Sequence, residues 1–336
     1  MNKIILFYKY INIEYPKQIM KWQREICQNL NILGRILISH EGINGTLGGS
    51  AENLEEYKKI MSAHELFDAI DFKESDGGPE CFPRLSVKVR DEAVSLGIPY
   101  DQLTPRTAGQ HLKPHETHQL LTENPENLVI LDARNDYEWA IGRFKNAITP
   151  NIENFRDLPQ YLDENIEQFK DKQVLMYCTG GIRCERASAY LNEKSVAKKV
   201  YQMEGGIHRY VEEYPDGYFR GKNYVFDGRV SVRINEDILS SCALCAKPCD
   251  DYYNCFNATC NKHFICCNEC VATYENTCGQ TCQTLIKEKK VNSRPAFASP
   301  SRKATENSSK ASSFVETSKD KSADKPPFNK TCSLFK

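Results

Sequence analysis

The chain has 336 residues, 40% of them hydrophobic and 26% charged, with 44 Lys/Arg balanced against 45 Asp/Glu. That length predicts two or three domains, and no apolar run approaches the roughly 20 residues that cross a bilayer. Only five apolar residues separate Lys3 from Lys9, too few for a secretory core, so a cytoplasmic protein with no membrane partner is expected. Charge is unevenly placed: from Gln283 onward there are twelve Lys/Arg against five Asp/Glu, leaving the rest of the chain at −8. A body that is acidic overall can bind nucleic acid only through a local basic patch.

Residues 1–90 read as β-α-β-β-α-β. Ile4–Tyr10 is a short apolar strand, and Pro16 opens a helix whose Ile19, Trp22, Ile26 and Leu30 share one face. Arg35–Ser39 is strand-like, a tight turn is expected at Asn44-Gly45 within Gly42–Gly49, and Ser50 can cap a second helix ending near Met61. Ile70–Glu74 and Leu85–Val89 complete a split βαβ pattern of the ferredoxin or acylphosphatase type. Residues 91–114, rich in Gly and Pro, read as a linker. From 115 to 220 strand and helix alternate: Val129–Ala133, Leu158–Phe169, Val174–Tyr177, a helix after Arg183, Val200–Met203 and Ile207–Tyr214. That alternation implies a doubly wound parallel sheet. Residues 221–285 form a cysteine-rich module, and the basic, Ser-rich segment 286–336 is expected to be disordered.

Fifteen cysteines are present, nine of them between Cys242 and Cys278. In a long chain without a secretory signal, metal thiolates are favoured over disulfides. Cys242-x2-Cys245 and Cys267-x2-Cys270 are paired knuckles with the spacing of a structural zinc site. Cys249, Cys255, Cys260 and Cys266 supply donors for a second site, with His263 and Cys278-x3-Cys282 as further possibilities. How these donors divide is not fixed by spacing, and an iron–sulfur cluster is the alternative.

Val174-Leu-Met-Tyr-Cys178-Thr-Gly-Gly-Ile-Arg183-Cys184-Glu-Arg186 carries the chemistry. An apolar strand ends at a cysteine, a glycine loop follows, and a helix begins near Arg183. Loop N–H groups and the helix N-terminus then point at the sulfur, and with Arg183 and Arg186 nearby they lower the thiol pKa. Cys178 is the expected nucleophile, Arg183 supplies loop electrostatics, and Cys184 is a candidate resolving thiol or a packing residue. Thr179, Gly180, Gly181, Ile182, Arg186 and Arg229 are candidate substrate contacts. The Cys-x4-Arg spacing is one residue shorter than the phosphatase Cys-x5-Arg and suits a sulfur-sized substituent. Asp132 and Arg134 read as polar ties rather than catalytic groups, and His111, His115 and His118 as solvent-exposed. Arg220, Lys222, Arg229 and Arg233, interleaved with Tyr218, Tyr224 and Phe226, make a plausible surface for an unstacked RNA loop. No organic-cofactor motif stands out.

Asp132-Ala-Arg134, Glu138, Gly142 and Ala147, with Met203-Glu-Gly205-Gly206-Ile207, resemble the rhodanese signature, departing at Arg143-Phe144 and Asn146. His40-Glu-Gly-Ile-Asn-Gly-Thr46, the Cys178 loop, Tyr224-Val-Phe-Asp227-x-Arg229 and the cysteine cluster together resemble the bacterial tRNA wobble-uridine 5-hydroxylase family over residues 1–282. The resemblance implies a rhodanese domain at 115–220, a tRNA anticodon loop as substrate, and dioxygen as co-substrate in forming 5-hydroxyuridine. A persulfide-forming sulfurtransferase and a noncatalytic zinc and rhodanese scaffold are the competing readings.

Overall fold

A computed structural model describes residues 1–294; the tail expected to be disordered lies beyond them from 295 on. Its first turns, 286–294, are ordered. Both faces of β1 (Asn2–Tyr10) are used. Because side chains alternate along a strand, Ile5 and Phe7 point into one core while Leu6 and Tyr8 point the other way, toward the second domain. α1 (Pro16–Asn29) and α2 (Ala51–Ser62) close that core, α2 starting where the Ser50 hydroxyl accepts from the Asn53 N–H at 3.2 Å. β2 (Leu33–Ser39), β3 (Gly42–Ser50), β4 (Lys73–Asp76) and β5 (Leu85–Val89) complete a sheet of order β4-β1-β3-β2-β5. The split βαβ core is as expected, with β5 over the residues read for it, Leu85–Val89, and parallel to β2.

The expected turn at Asn44-Gly45 is corrected. Both residues lie mid-strand in β3, opposite Tyr8 and Phe7 on β1, and the reversal falls at His40–Glu41 instead. Gly45 is there for contact rather than for a turn: a Cβ would meet the Phe7 ring at 2.4 Å.

In the second domain β6 (Gln110–Leu112) leads into α3 (Pro114–Glu123), β7 (Leu128–Asp132), α4 (Asp136–Trp139) and β8 (Gly142–Phe144). Then come α5 (Leu158–Glu164), β9 (Gln173–Tyr177), α6 (Ile182–Lys194), β10 (Lys199–Met203) and α7 (Gly206–Glu213). The sheet order β6-β10-β9-β7 is wholly parallel. On β9, Val174 and Met176 pack with α5 and α6, while Leu175 and Tyr177 pack with α7, so both faces are covered. The segment expected as a linker is tethered rather than free: Leu96 and Leu103 are buried in this core and β6 adds an edge strand.

β11 (Phe219–Tyr224) pairs with β8 on one side and β12 (Ser231–Arg233) on the other, carrying the chain into the cysteine module. There β13 (Tyr252–Asn254), β14 (His263–Ile265), α8 (Asn268–Thr273) and α9 (Gln280–Lys287) surround a small core made largely of cysteines.

The first two domains are joined by charge as well as packing. Glu41, at the β2–β3 reversal, accepts from the Ala93 N–H and from Arg186 Nη1 of α6 at 2.7 Å, both side chains fully buried. Arg186 also donates to the Ile98 carbonyl. Removing one partner leaves an uncompensated buried charge, costing about 3–5 kcal/mol, whereas apolar replacement of both is close to neutral. Glu41→Ala should therefore lower the urea midpoint sharply, and Glu41→Leu combined with Arg186→Met should recover most of the loss.

Candidate active site

β9 ends at Cys178, and the next residues fold back over the sulfur. The Cys178 and Thr179 carbonyls accept from the Ile207 and His208 N–H groups of α7, at 2.9 and 3.1 Å, which pins the loop to the following unit. Gly181, at φ +102°, turns its N–H onto Cys178 Sγ at 3.1 Å and starts α6. Gly206, at φ +65°, is needed because a Cβ there would strike the Cys178 carbonyl at 2.5 Å.

Cys178 is fully buried, and burial alone would raise its pKa. The Cys184 S–H, the Arg183 guanidinium and the backbone N–H groups of Arg183 and Cys184 outweigh that, bringing the thiol down to about 5. The sulfur is a thiolate at neutral pH. Cys184 shows the converse: burial and the neighbouring thiolate push it well up, so it stays a donor. Arg183 is itself held by a two-pronged pair with Glu138, Nη1–Oε2 2.5 Å and Nη2–Oε1 2.7 Å, and Glu138 also accepts from the Thr179 hydroxyl. Buried Glu138 is nevertheless kept below the usual carboxylate range, chiefly by Arg183. Arg183 is thus fixed beneath the loop. Asp132 and Arg134 are the ties expected of them, a bidentate buried pair to which Tyr177 Oη donates at 2.6 Å.

The N-terminal sheet covers this loop. A Cβ at Gly180 would come within 2.8 Å of Leu6 Cδ2, and one at Gly181 within 2.8 Å of Tyr8 Oη, so the two glycines permit the close approach. Tyr8 Oη donates to Glu185 at 3.1 Å, and the same carboxylate pairs with His111 Nε2 at 2.9 Å. His111, expected to be merely exposed, therefore ends a chain of polar contacts leading from the surface to the thiolate loop. His118 is likewise engaged, stacked on Tyr214 at 4.0 Å.

Several expected substrate contacts are already committed. Arg186 is sealed against Glu41 and not free for substrate; Arg220 pairs with Asp237, Lys222 with Asp250 and Asp251, and Arg233 with Asp250. Arg229 is bidentate to Asp227 and also donates to the Ser75 hydroxyl and the Asp76 carbonyl. Tyr218 and Tyr224 join ring clusters with His118 and His263, but Phe226 stays 43% exposed, with Arg183 over its ring at 5.7 Å. Phe226, Asp227 and Arg229 lie between two clefts of about 1020 and 660 Å³. The larger also presents Arg35 and Arg84, exposed and without an ion pair among the described residues. The smaller has Thr179 in its wall.

The cysteines sort into two groups, Cys242, Cys245, Cys267, Cys270 and Cys255, Cys260, Cys278, Cys282, all four sulfurs of each lying within 4.8 Å of one another. Cys249 and Cys266, expected as ligands, stand outside both; burial raises their thiols, Cys266 to about 12. Cys278 and Cys282 take their place, because α9 returns its first turn to the β13–β14 hairpin. Sγ–Sγ distances of 3.7 Å for Cys245–Cys267, Cys260–Cys278 and Cys278–Cys282 fit a tetrahedron around one ion, whose edge is about 3.8 Å for metal–sulfur bonds of about 2.3 Å. Each group can hold a metal.

A parallel sheet delivering a thiolate into a closed Cys-x4-Arg loop defines a rhodanese-type cysteine enzyme. Family models agree segment by segment: a UPF0176 acylphosphatase-like domain over residues 2–93, a rhodanese-like domain over 113–213 and a rhodanese C-terminal domain over 220–283. Full-length relatives, each named tRNA uridine(34) hydroxylase, come from Corynebacterium urealyticum (42% identical over 287 residues, 83% of this chain and 96% of that one) and Corynebacterium jeikeium (41% over 288 residues, 83% and 93%). Another, from an Arthrobacter species, is 40% identical over 294 residues, 84% of this chain and 99% of that one. The chain belongs to the tRNA uridine(34) hydroxylase family.

Iodoacetamide reaches the buried Cys178 only through openings of the covering sheet, so alkylation should be slow, with a rate that follows the thiolate fraction and rises through a midpoint near pH 5. Arg183→Gln should move that midpoint upward by more than one pH unit, toward the ordinary thiol value of about 8.5. Peptide mass spectrometry of the labelled Cys178 checks both.

Proposed function

We propose that this chain is an oxygen-dependent tRNA hydroxylase that converts the wobble uridine, position 34 of the anticodon loop, to 5-hydroxyuridine, with Cys178 as nucleophile. The observation that carries the reading is a buried cysteine held as a thiolate beside a cleft, in a chain of which 83% aligns with a uridine(34) hydroxylase over 96% of that relative's length. The thiolate adds to C6 of the uracil, forming an S–C6 bond and an enolate at C5. Dioxygen adds at C5, and the resulting hydroperoxide takes two electrons from a dithiol reductant, releasing water. Loss of the C5 proton then expels the Cys178 thiolate and restores the double bond. The loop N–H groups favour the negative charge that leaves and returns to sulfur, and Cys184 holds a proton ready for it. Because Leu6 and Tyr8 shut the sulfur from solvent, the N-terminal sheet must draw back from the loop for the base to reach it.

The larger cleft suits the nucleotides flanking position 34. Arg35 and Arg84 remain free to meet phosphate where the basic stripe of β11 and β12 is neutralised.

Zinc is the metal the two sulfur groups fit best, four thiolates around one ion leaving no open position for water. Its contribution is to cross-link a module whose core is otherwise too small to hold itself together. Purified protein should contain two zinc ions per chain by mass spectrometry of the elements. Cys245→Ser and Cys278→Ser should each lose one, whereas Cys249→Ser and Cys266→Ser should keep both.

Nucleoside mass spectrometry of tRNA from cells lacking the protein should show loss of 5-hydroxyuridine derivatives, restored by the wild-type chain and not by Cys178→Ser. Intact hydroxylation with lost thiolation would instead establish a sulfurtransferase, whose persulfide the same loop would accommodate.

A further inference from the structure

The smaller cleft lies where all three parts of the chain meet, bounded by Thr46 of β3, Thr179 of the active loop, and Asn223 and Phe226 of the segment that begins with β11. Its volume of about 660 Å³ is within the range of small-ligand sites, about 300–1,000 Å³. β11 alternates around it. Lys222 and Tyr224 reach into the cysteine module, to Asp250 and Asp251 and to His263. Asn223 and Val225 line the cleft instead. Asn223 is 4% exposed, and among the described residues its buried Oδ1 accepts from no donor. Buried amide oxygens are almost always satisfied, so this one stands out: an unpartnered acceptor on a residue of the cleft wall, covered in the closed form in which the N-terminal sheet shares that wall.

Resting on the hydroxylase reading, we propose that Asn223 reads the base: its Oδ1 accepts from N3–H of the uracil and its Nδ2 donates to the adjacent carbonyl oxygen, while Phe226 stacks on the ring. Uracil offers acceptor, donor and acceptor along that edge. Cytosine puts a lone pair at N3, which faces Oδ1 unfavourably. Pairing cytosine through its amino group would shift the ring by one position and carry C6 away from the loop. The carboxamide therefore selects uridine and sets the register that brings C6 to the Cys178 side of the cleft. Asn223 touches the base but not the reacting atoms, so its work shows in base preference.

Two anticodon stem-loop RNAs, differing only by U or C at position 34, test this by direct binding to the full chain. The wild type should prefer the uridine RNA by about tenfold or more, the discrimination of one good bidentate contact. Asn223→Ala and Asn223→Leu should erase the preference while leaving the Cys178 alkylation profile unchanged. Leucine fills the site with an apolar group of similar volume and should not lower the melting temperature, since it removes an unsatisfied buried acceptor. Preference retained in either folded variant, or absent from the wild type, would overturn the assignment. Failure of the wild type to form 5-hydroxyuridine would sink the hydroxylase reading instead, and the binding comparison would still judge Asn223.

Discussion

A negative sulfur with no exposure to water is the constraint around which this protein is arranged. Taken alone, burial disfavours the thiolate, and the loop exists to reverse that balance. The reversal needs several dipoles and a cation held within one turn of chain. It therefore needs glycines at 181 and 206 that let the backbone approach, and a carboxylate at 138 that stops Arg183 from swinging outward. Glu138 holds the guanidinium in place, so its charge acts on the sulfur from a fixed position. This is preorganisation: the donors are in place before any substrate arrives and need not reorganise when charge moves.

The N-terminal domain extends the same arrangement. Ferredoxin-like sheets commonly leave one face open, but here Leu6 and Tyr8 lie on the active loop while Ile5 and Phe7, their neighbours along β1, hold the domain's own core. One strand thus serves two interiors. The Glu41–Arg186 pair ties the two together at the β2–β3 reversal, since α6 begins at the active loop and carries Arg186 one turn later. Excluding water strengthens every interaction at the sulfur, at the cost of closing the path to it. The polar chain from His111 through Glu185 to Tyr8 crosses this closure, so the lid is tied down by hydrogen bonds rather than by apolar packing alone. Bonds of that kind exchange readily with water, which suits the opening that the proposed reaction requires.

Much of this was legible in sequence wherever the signal is local. The period of β9, the Cys-x4-Arg loop and the Ser50 cap each depend on residues a few positions apart, and the structure places them as read. Asn44-Gly45 misled because the dipeptide's turn preference was overruled by contact: β3 needs a glycine opposite Phe7, and strand pairing on both sides supplied more hydrogen bonds than a turn could. The arginines misled for a different reason. Arg186 finds Glu41 across 145 residues, and no local pattern encodes such a partner. Cysteine spacing identified the first knuckle pair but not the second set, since the return of α9 to the hairpin is a tertiary event.

Those committed arginines alter how RNA recognition must work in this chain. With Arg186, Arg220 and Arg233 bound internally, contact with the phosphate backbone among the described residues falls to other cations, Arg35 and Arg84 among them. On the proposed reading, discrimination comes from the base itself and from the shape of the junction that receives it. A buried amide beside an exposed aromatic ring is well suited to that task, because it acts only on a nucleotide already unstacked and inserted. The anticodon loop supplies such a nucleotide at little unstacking cost. On the proposed reading, contacts to the backbone bring RNA to the junction, and the contact to the base holds the nucleotide that fits.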